Sequence, residues 1–236
     1  MAIAFVQDEH VSSTAVSQQN IVWGSNTTSG STIIVIAGAS GTQTVTGVSD
    51  SQTNSYSQVI SNVGLGANLE IWVCYGITGG TTPTVTIDWS ASNNPQTYII
   101  EYSGVLSQDA EPGEGSADSS SLTDHVCNAS NLTPSEDNCM VVGAMRATGN
   151  IGTLSNLESG YVQRTGSDGT GAARCIIIDN IQTTATATDA SFTSSGTVSG
   201  ACAMFIVRAS SAGKVTKNIR GWGLGMELGV NLWGQN

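Results

Sequence analysis

Apolar and polar positions alternate along much of this chain with a period of two, the spacing of strands that bury one face. Thr44-Val-Thr-Gly-Val48 and Thr84-Val-Thr-Ile87 put one face in and one face out. Ile33-Ile-Val-Ile36 is apolar on both faces and belongs at the centre of a sheet. The pattern predicts strands at Ile3–Val6, Thr32–Ala37, Thr44–Val48, Tyr56–Ile60, Leu69–Tyr75, Thr84–Asp88, Thr97–Tyr102, Cys139–Met145, Ala173–Asp179, Ala185–Thr188 and Cys202–Val207. Gly79-Gly80, Asn93-Asn-Pro95 and Ser167-Asp-Gly169 punctuate them as turns. No 3.6-residue period is sustained, and no internal repeat of fixed period stands out. An all-β, antiparallel β-sandwich of jelly-roll-like type follows, with an extended C-terminal arm.

Three segments are expected. Residues 1–30 form an N-terminal arm and first strand, residues 31–208 the sandwich, and residues 209–236 the C-terminal arm. Within the sandwich, residues 106–124 are Ser/Gly-rich and acidic without apolar periodicity, and read as an exposed loop joining two halves of one domain.

The arm carries the sharpest pattern in the chain. From Trp222 to Leu232 every even position is apolar (Trp222, Leu224, Met226, Leu228, Val230, Leu232), and every odd one is glycine or polar. A helix here would hold Gly221, Gly223, Gly225 and Gly229 at a cost of roughly 3–4 kcal/mol against alanine, so a strand wins. Burying the six apolar side chains returns roughly 9–18 kcal/mol. Ordering eleven residues costs about as much, at roughly 1–2 kcal/mol each, so the strand needs another sheet to tip it. That sheet is either its own or a partner's. With the basic cluster before them, the candidate partner-binding residues are Lys214, Lys217, Arg220, Trp222, Leu224, Met226, Leu228, Val230, Leu232 and Trp233.

Composition agrees with a sheet protein. The 236 residues include 28 glycines, four prolines and only 11% charged residues. Charge is lopsided: thirteen acids and no base precede Arg146, whereas seven bases and five acids lie from there on. The net charge of −11 offers phosphates no basic surface, so no nucleic-acid partner is expected. Either the acids keep a Ser/Thr-rich surface soluble, or they match the basic cluster of a neighbour's tail. The opening Met1–His10 lacks the positive start of a secretory signal, and no apolar stretch is long enough to span a bilayer. Cytoplasmic synthesis and no membrane association are expected. Of five cysteines, Cys74, Cys175 and Cys202 sit in apolar strands as buried thiols, while Cys127 and Cys139 lie nearer loops, where pairing is open.

Candidate chemistry is sparse. His10 and His125 neighbour no nucleophile elbow. Glu70, Asp88 and Glu101 with Trp72, Trp89 and Tyr102 could give the paired acids and aromatic platform of a glycosidase, or acids on solvent-facing strand positions. The Asp109–Asp118 loop and the Asp50–Asn54 turn offer oxygens to calcium without EF-hand spacing, and Asx turns explain the second equally well. His125, Cys127 and Cys139 fall short of a zinc signature. Gly38–Gly41 and Gly64–Gly66 lack a P-loop lysine. No catalytic residue, metal or cofactor is expected.

Val45-Thr-Gly-Val-Ser-Asp50-Ser-Gln-Thr-Asn54-Ser-Tyr56, Leu69-Glu-Ile-Trp72-Val-Cys-Tyr75, Thr84-Val-Thr-Ile87 and Ile99-Ile-Glu101-Tyr-Ser-Gly104 together resemble a loose group of β-sandwich proteins. These recur in structural modules of tailed phages and in bacterial surface proteins. Cys139–Val142 and Ala203–Val207 fit as closing strands, so the resemblance covers about residues 30–208 and omits the tail. It implies a sandwich and no catalytic residues. The function expected is a non-enzymatic virion structural protein, a capsid decoration or cement protein on the capsid surface. Its partners would be its own copies, as a dimer or trimer, and a major capsid protein. A carbohydrate-binding or adhesin sandwich of a tail fibre or cell surface is the alternative, and a glycoside hydrolase the third.

Overall fold

The computed structural model describes residues 2–108, 115–128, 131–164 and 175–209. Lys214 to Trp233, the proposed partner strand with its basic cluster, lies outside the described residues, as do the Ser167–Gly169 turn and Asp109, Glu111 and Glu114. The described residues are all-β, in antiparallel sheets arranged as a sandwich.

The first half contributes β1 (Ala4–Ser12), β2 (Val16–Val22), β3 (Thr32–Ser40), β4 (Val45–Asp50), β5 (Ser57–Gly64), β6 (Ala67–Cys74), β7 (Thr84–Asn93) and β8 (Gln96–Ser103). They form one sheet in the order β1-β8-β3-β6-β5 and a smaller one in the order β2-β7-β4. The strands wrap inward from both ends, β1 on β8 and β2 on β7. The segment expected as an arm with one strand therefore runs as two full strands, one in each sheet.

The second half repeats this plan. It comprises β9 (Val105–Gln108), β10 (Gly115–His125), β11 (Cys139–Ala147), β12 (Leu154–Ser155), β13 (Val162–Gln163), β14 (Cys175–Gln182) and β15 (Phe192–Ala209). The order β10-β15-β11-β14-β13 matches β1-β8-β3-β6-β5. The long β15 does the work of both β7 and β8. Its first stretch pairs β12 and the end of β10, and its second pairs β11 and the start of β10. The repeat is one of strand order, in a sequence where no repeat of fixed period stands out.

Layering explains the strand compositions. On β3, Ile33, Val35 and Ala37 face the three-stranded sheet and pack with Ile21, Trp23, Val85, Ile87 and Trp89. Ile34 and Ile36 face the other way, into a core shared with the second half: Met140, Val142, Ala144, Ile177, Ala203 and Phe205. On β11, Val141 and Met145 turn outward to a third core with Ile178, Met204, Tyr161 and Phe192. β3 and β11 are thus buried on both faces, as their unbroken apolar runs require. β7 alternates because only one of its faces is covered.

Two elements differ from expectation. Residues 106–124 are not one exposed loop: β9 pairs with β15, and β10 is the edge strand beside it. Its Ser/Asp-rich sequence pairs with β15 through the backbone ladder, which requires no apolar alternation, so hydropathy gave no signal. Ala185–Thr188 is not a strand and contributes only an isolated bridge, Leu132 to Thr188.

A shared core predicts shared unfolding. Phe205→Ala, deep in that core, is expected to cost about 3–5 kcal/mol. In urea, with Trp222 and Trp233 replaced by Phe so that Trp23, Trp72 and Trp89 report the first half, tryptophan fluorescence and far-UV circular dichroism (whole chain) should still give one coincident transition, and two separated transitions would refute a common core.

Candidate functional site

The sequence-predicted acids lie inside the fold. Glu70 and Glu101 are fully buried, which overturns the reading of solvent-facing acids. Both sit on strands whose alternate residues line the shared core, so the carboxylates point into the outer sandwich. Glu70 accepts hydrogen bonds from Val45 N at 2.9 Å, Asn68 Nδ2 at 2.8 Å, Gln58 Nε2 at 2.6 Å and Trp72 Nε1 at 3.2 Å. Glu101 accepts from Gln7 Nε2 at 2.6 Å and Thr28 N at 2.8 Å. These are ties that pin the ends of β4 and of the β2–β3 connection.

They do not make a hydrolytic pair. Glu101 is opposite Ile33 and Glu70 opposite Ala37, on the two sides of β3. Four residues of strand separate them by about 13 Å along its axis, beyond the roughly 5–9.5 Å that glycosidase carboxylates need. Asp88 is half-buried on β7 and accepts from Gln18 Nε2 at 2.7 Å. The aromatic platform fails as well, because Trp89 and Tyr102 are core residues and only Trp72 is partly exposed.

Asp50 is resolved as an Asx turn. Its carboxylate accepts from Gln52 N, Asn54 N, Asn54 Nδ2 and the Tyr56 hydroxyl, all at 2.8–3.0 Å. Those four donors occupy the oxygens that calcium would need. Among the described residues, no three His, Cys, Asp or Glu side chains cluster as metal ligands.

All five cysteines are free and buried. Cys139 donates to Gln182 Oε1 at 3.8 Å and Cys127 to Ala144 O at 3.6 Å, beside the Cys202 thiol. Burial pushes the Cys175 thiol up to about 12, and the hydrogen bond with Cys202, with burial behind it, holds the Cys127 thiol well above its ordinary value, so neither is a nucleophile. His10 stacks on Tyr98, with ring centroids 5.3 Å apart. His125 is buried against Phe192, its Nε2 2.8 Å from Ser194 Oγ, and that hydroxyl also reaches Gly196 O at 2.7 Å.

Two features of the seam between the halves escaped the sequence reading. The first is an ion pair: Arg164 grips Asp179 through Nε and Nη2, the Tyr102 hydroxyl donates to the same carboxylate, and Phe5 lies under the guanidinium at 4.3 Å. The second is a polar pocket of about 250 Å³ lined by Ser12, Ser13, Thr14, Ser40, Asn94, Gln96 and Arg146. Three first-half segments supply its walls: the β1–β2 turn, the end of β3 and the β7–β8 turn. β11 supplies the arginine. Its stem crosses Gly38, where a Cβ would meet Arg146 Cδ at 2.6 Å. Gly38, which as sequence suggested only a bare phosphate loop, is the notch that admits this side chain. A lone Arg after 145 residues without a base was the available signal.

Comparison of the chain with family models, curated proteins and solved structures finds no match.

Two consequences are measurable. Glu70→Gln sets an amide NH2 against two of the four donors and should lower unfolding free energy by about 1–3 kcal/mol in urea titration; unchanged stability would remove the tie. Burial holds the His125 pKa below its ordinary value, against a smaller opposing pull from Asp124. Below about pH 6.5 the unfolded chain then binds the extra proton first, so this group's stability is complete above that pH and falls as pH drops toward the folded pKa. Tm measured from pH 7 to 5 should fall less for His125→Asn than for the parent, and identical slopes would contradict this.

Proposed function

We propose that this protein is a non-enzymatic virion structural protein of the capsid decoration or cement type, and we read its nested strand order as jelly-roll-like. One observation carries the reading. Both faces of the central five-stranded and seven-stranded sheets are covered by layers of the same chain. Among the described residues these two sheets therefore offer no open face to the six apolar side chains between Trp222 and Leu232, which favours a neighbour's sheet as their acceptor. The buried carboxylates support the same reading, since the acids a hydrolase would use are spent on strand ends. In this role the double sandwich is a rigid block on the capsid surface, and the arm from Lys214 joins it to further copies and to the major capsid protein.

The test compares the full chain with a chain ending before Lys214, by light scattering after size exclusion and by co-sedimentation with purified capsids. The full chain should form dimers or trimers and sediment with capsids, and the truncated chain should stay monomeric and in the supernatant. Equal oligomeric state and equal capsid binding would sink the proposal.

A further inference from the structure

An edge strand presents a row of unpaired N–H and C=O groups, and folds guard such rows with charge, bulges or cover. Among the described residues the sheets end on β1, β5, β10, β13, β2 and β4, with β9 and β12 as short side pairings. Most of these ends are guarded. β13 is two residues long. β1 carries Asp8 and Glu9 and shifts register after Phe5. β10 shifts twice and carries Asp118 and Asp124. β4 keeps four residues in register beyond its shift and ends on Asp50. β2 is tied beside β1, with Gln19 Nε2 donating to Val11 O at 3.5 Å and Gly24 N to Glu9 Oε1 at 3.2 Å.

β5 is the exception. It holds no charge and no proline, and Ile60–Gly64 pairs with β6 in unbroken register. The two-residue Leu65-Gly66 turn makes Gly64 and Ala67 a hydrogen-bonded pair, so Ser61 and Val63 turn their N–H and C=O away from β6. Among the described residues no backbone group outside the sheet bonds them. Two apolar side chains also stand in water there, Val63 at 47% and Leu65 at 44% exposed. Leu65 is held at a φ of 51°, the left-handed region that such a turn ordinarily gives to Asn or Gly. An exposed leucine kept at that cost points to a contact made outside the fold.

The two faces of β5 select the kind of strand that fits beside it. Ile60 is buried in the shared core and Asn62 Nδ2 donates to Cys202 O at 2.8 Å, so one face looks into the seam. Ser61 and Val63 are exposed on the other. A strand laid alongside needs an apolar row toward the seam and small or polar residues outside. Trp222–Leu232 has that pattern, six apolar even positions against three glycines, Glu227 and Asn231. Charge agrees. Residues 210–236 hold three bases and one acid, whereas the rest of the chain holds four bases and 17 acids.

Direction separates the chain's own arm from a neighbour's. Asn62 bonds Cys202, and Arg146, opposite Ala201, reaches Ser40 at the Gly64 end of the sheet. The Ser57 end of β5 is therefore the end at which β15 stops at Ala209. An arm leaving Ala209 meets its own β5 in the parallel sense. A second copy's arm is free to pair antiparallel, as the described strands do, and that pairing is the stronger per residue.

We propose that the β5 edge accepts the Trp222–Leu232 strand of a second copy of this chain, antiparallel, with the even positions turned to the seam. The proposal rests on the structural role given above and names the surface that the arm joins.

The full-length chain is followed by light scattering after size exclusion. Ser61→Lys with Val63→Lys charges the edge and leaves the β5–β6 ladder whole, so Tm should match the parent while self-association weakens ten-fold or more. Separately, chains with Ser61→Cys are mixed with chains bearing Gly223→Cys, Gly225→Cys or Gly229→Cys and oxidised in air. At least one mixture should yield a disulfide-linked pair with one chain of each kind. Oligomers lost on ending the chain before Lys214 but kept in the lysine variant would overturn the β5 edge and leave the structural role standing. Oligomers that survive the truncation would remove both. No linked pair in any mixture would overturn the site, as would a chain carrying both cysteines that links only within itself.

Discussion

The constraint on which this structure depends is that its five-stranded and seven-stranded sheets bury each other. Ile34, Ile36, Leu69, Ile71 and Tyr98 from one half meet Val142, Ala144, Ile177, Ala203 and Phe205 from the other. Each of these sheets also carries a second apolar face, closed by the β2-β7-β4 layer on one side and by the β12 region with its loops on the other. Neither half has a polar surface on the side it turns to its copy. The chain behaves as a fused pair, and the third core exists because the second exists.

Burial on both faces leaves little room for charge, and the placement of the buried acids follows from that. Glu70 and Glu101 project from central strands where hydrophobic residues would otherwise sit. An unpaired carboxylate there would cost several kcal/mol, so each is supplied with amide donors from the adjoining connections. The same logic holds at the seam, where Asp179 takes two nitrogens of Arg164 and the Tyr102 hydroxyl. These contacts join segments distant in sequence, which is why nothing local in the chain announces them.

Legibility in the sequence divides along this line. Ile33–Ile36 read correctly as central, because two-sided burial leaves a continuous apolar run, while Cys139–Met145, buried in the same way, was read as a strand but not as a central one. Thr84–Asp88 read correctly as one-sided from its alternation. β10 did not, since an edge strand held by its ladder needs no apolar face. The repeat was hidden because its copies share pattern and order, not residues, and because β15 fuses what β7 and β8 keep apart. Tyr56-Ser-Gln58 and Tyr161-Val-Gln163, each leading into the edge strand of its half, were the visible trace. The polar pocket was illegible for a different reason: its seven residues come from four places along the chain.

The lopsided charge gains a use beyond the two weighed from sequence. The arginines among the described residues are Arg146, Arg164 and Arg208, all from the base-containing half. Arg146 crosses Gly38 and reaches Ser40 of the first half, and Arg164 lies over Phe5 and against the carboxylate that Tyr102 also binds. Arg208 pairs with Glu136 at 2.5 Å and with Ser107 of β9, the strand leading out of the first half. Each base is set where the two copies meet or are joined. A first half without any Lys or Arg can offer only dipoles, rings and acids across that seam, so the cations that fasten it must come from the second. Charge asymmetry between two otherwise equivalent sandwiches makes their contact heterologous in chemistry while it stays symmetric in topology. It also places Arg146, the first of those cations along the chain, at the floor of the pocket.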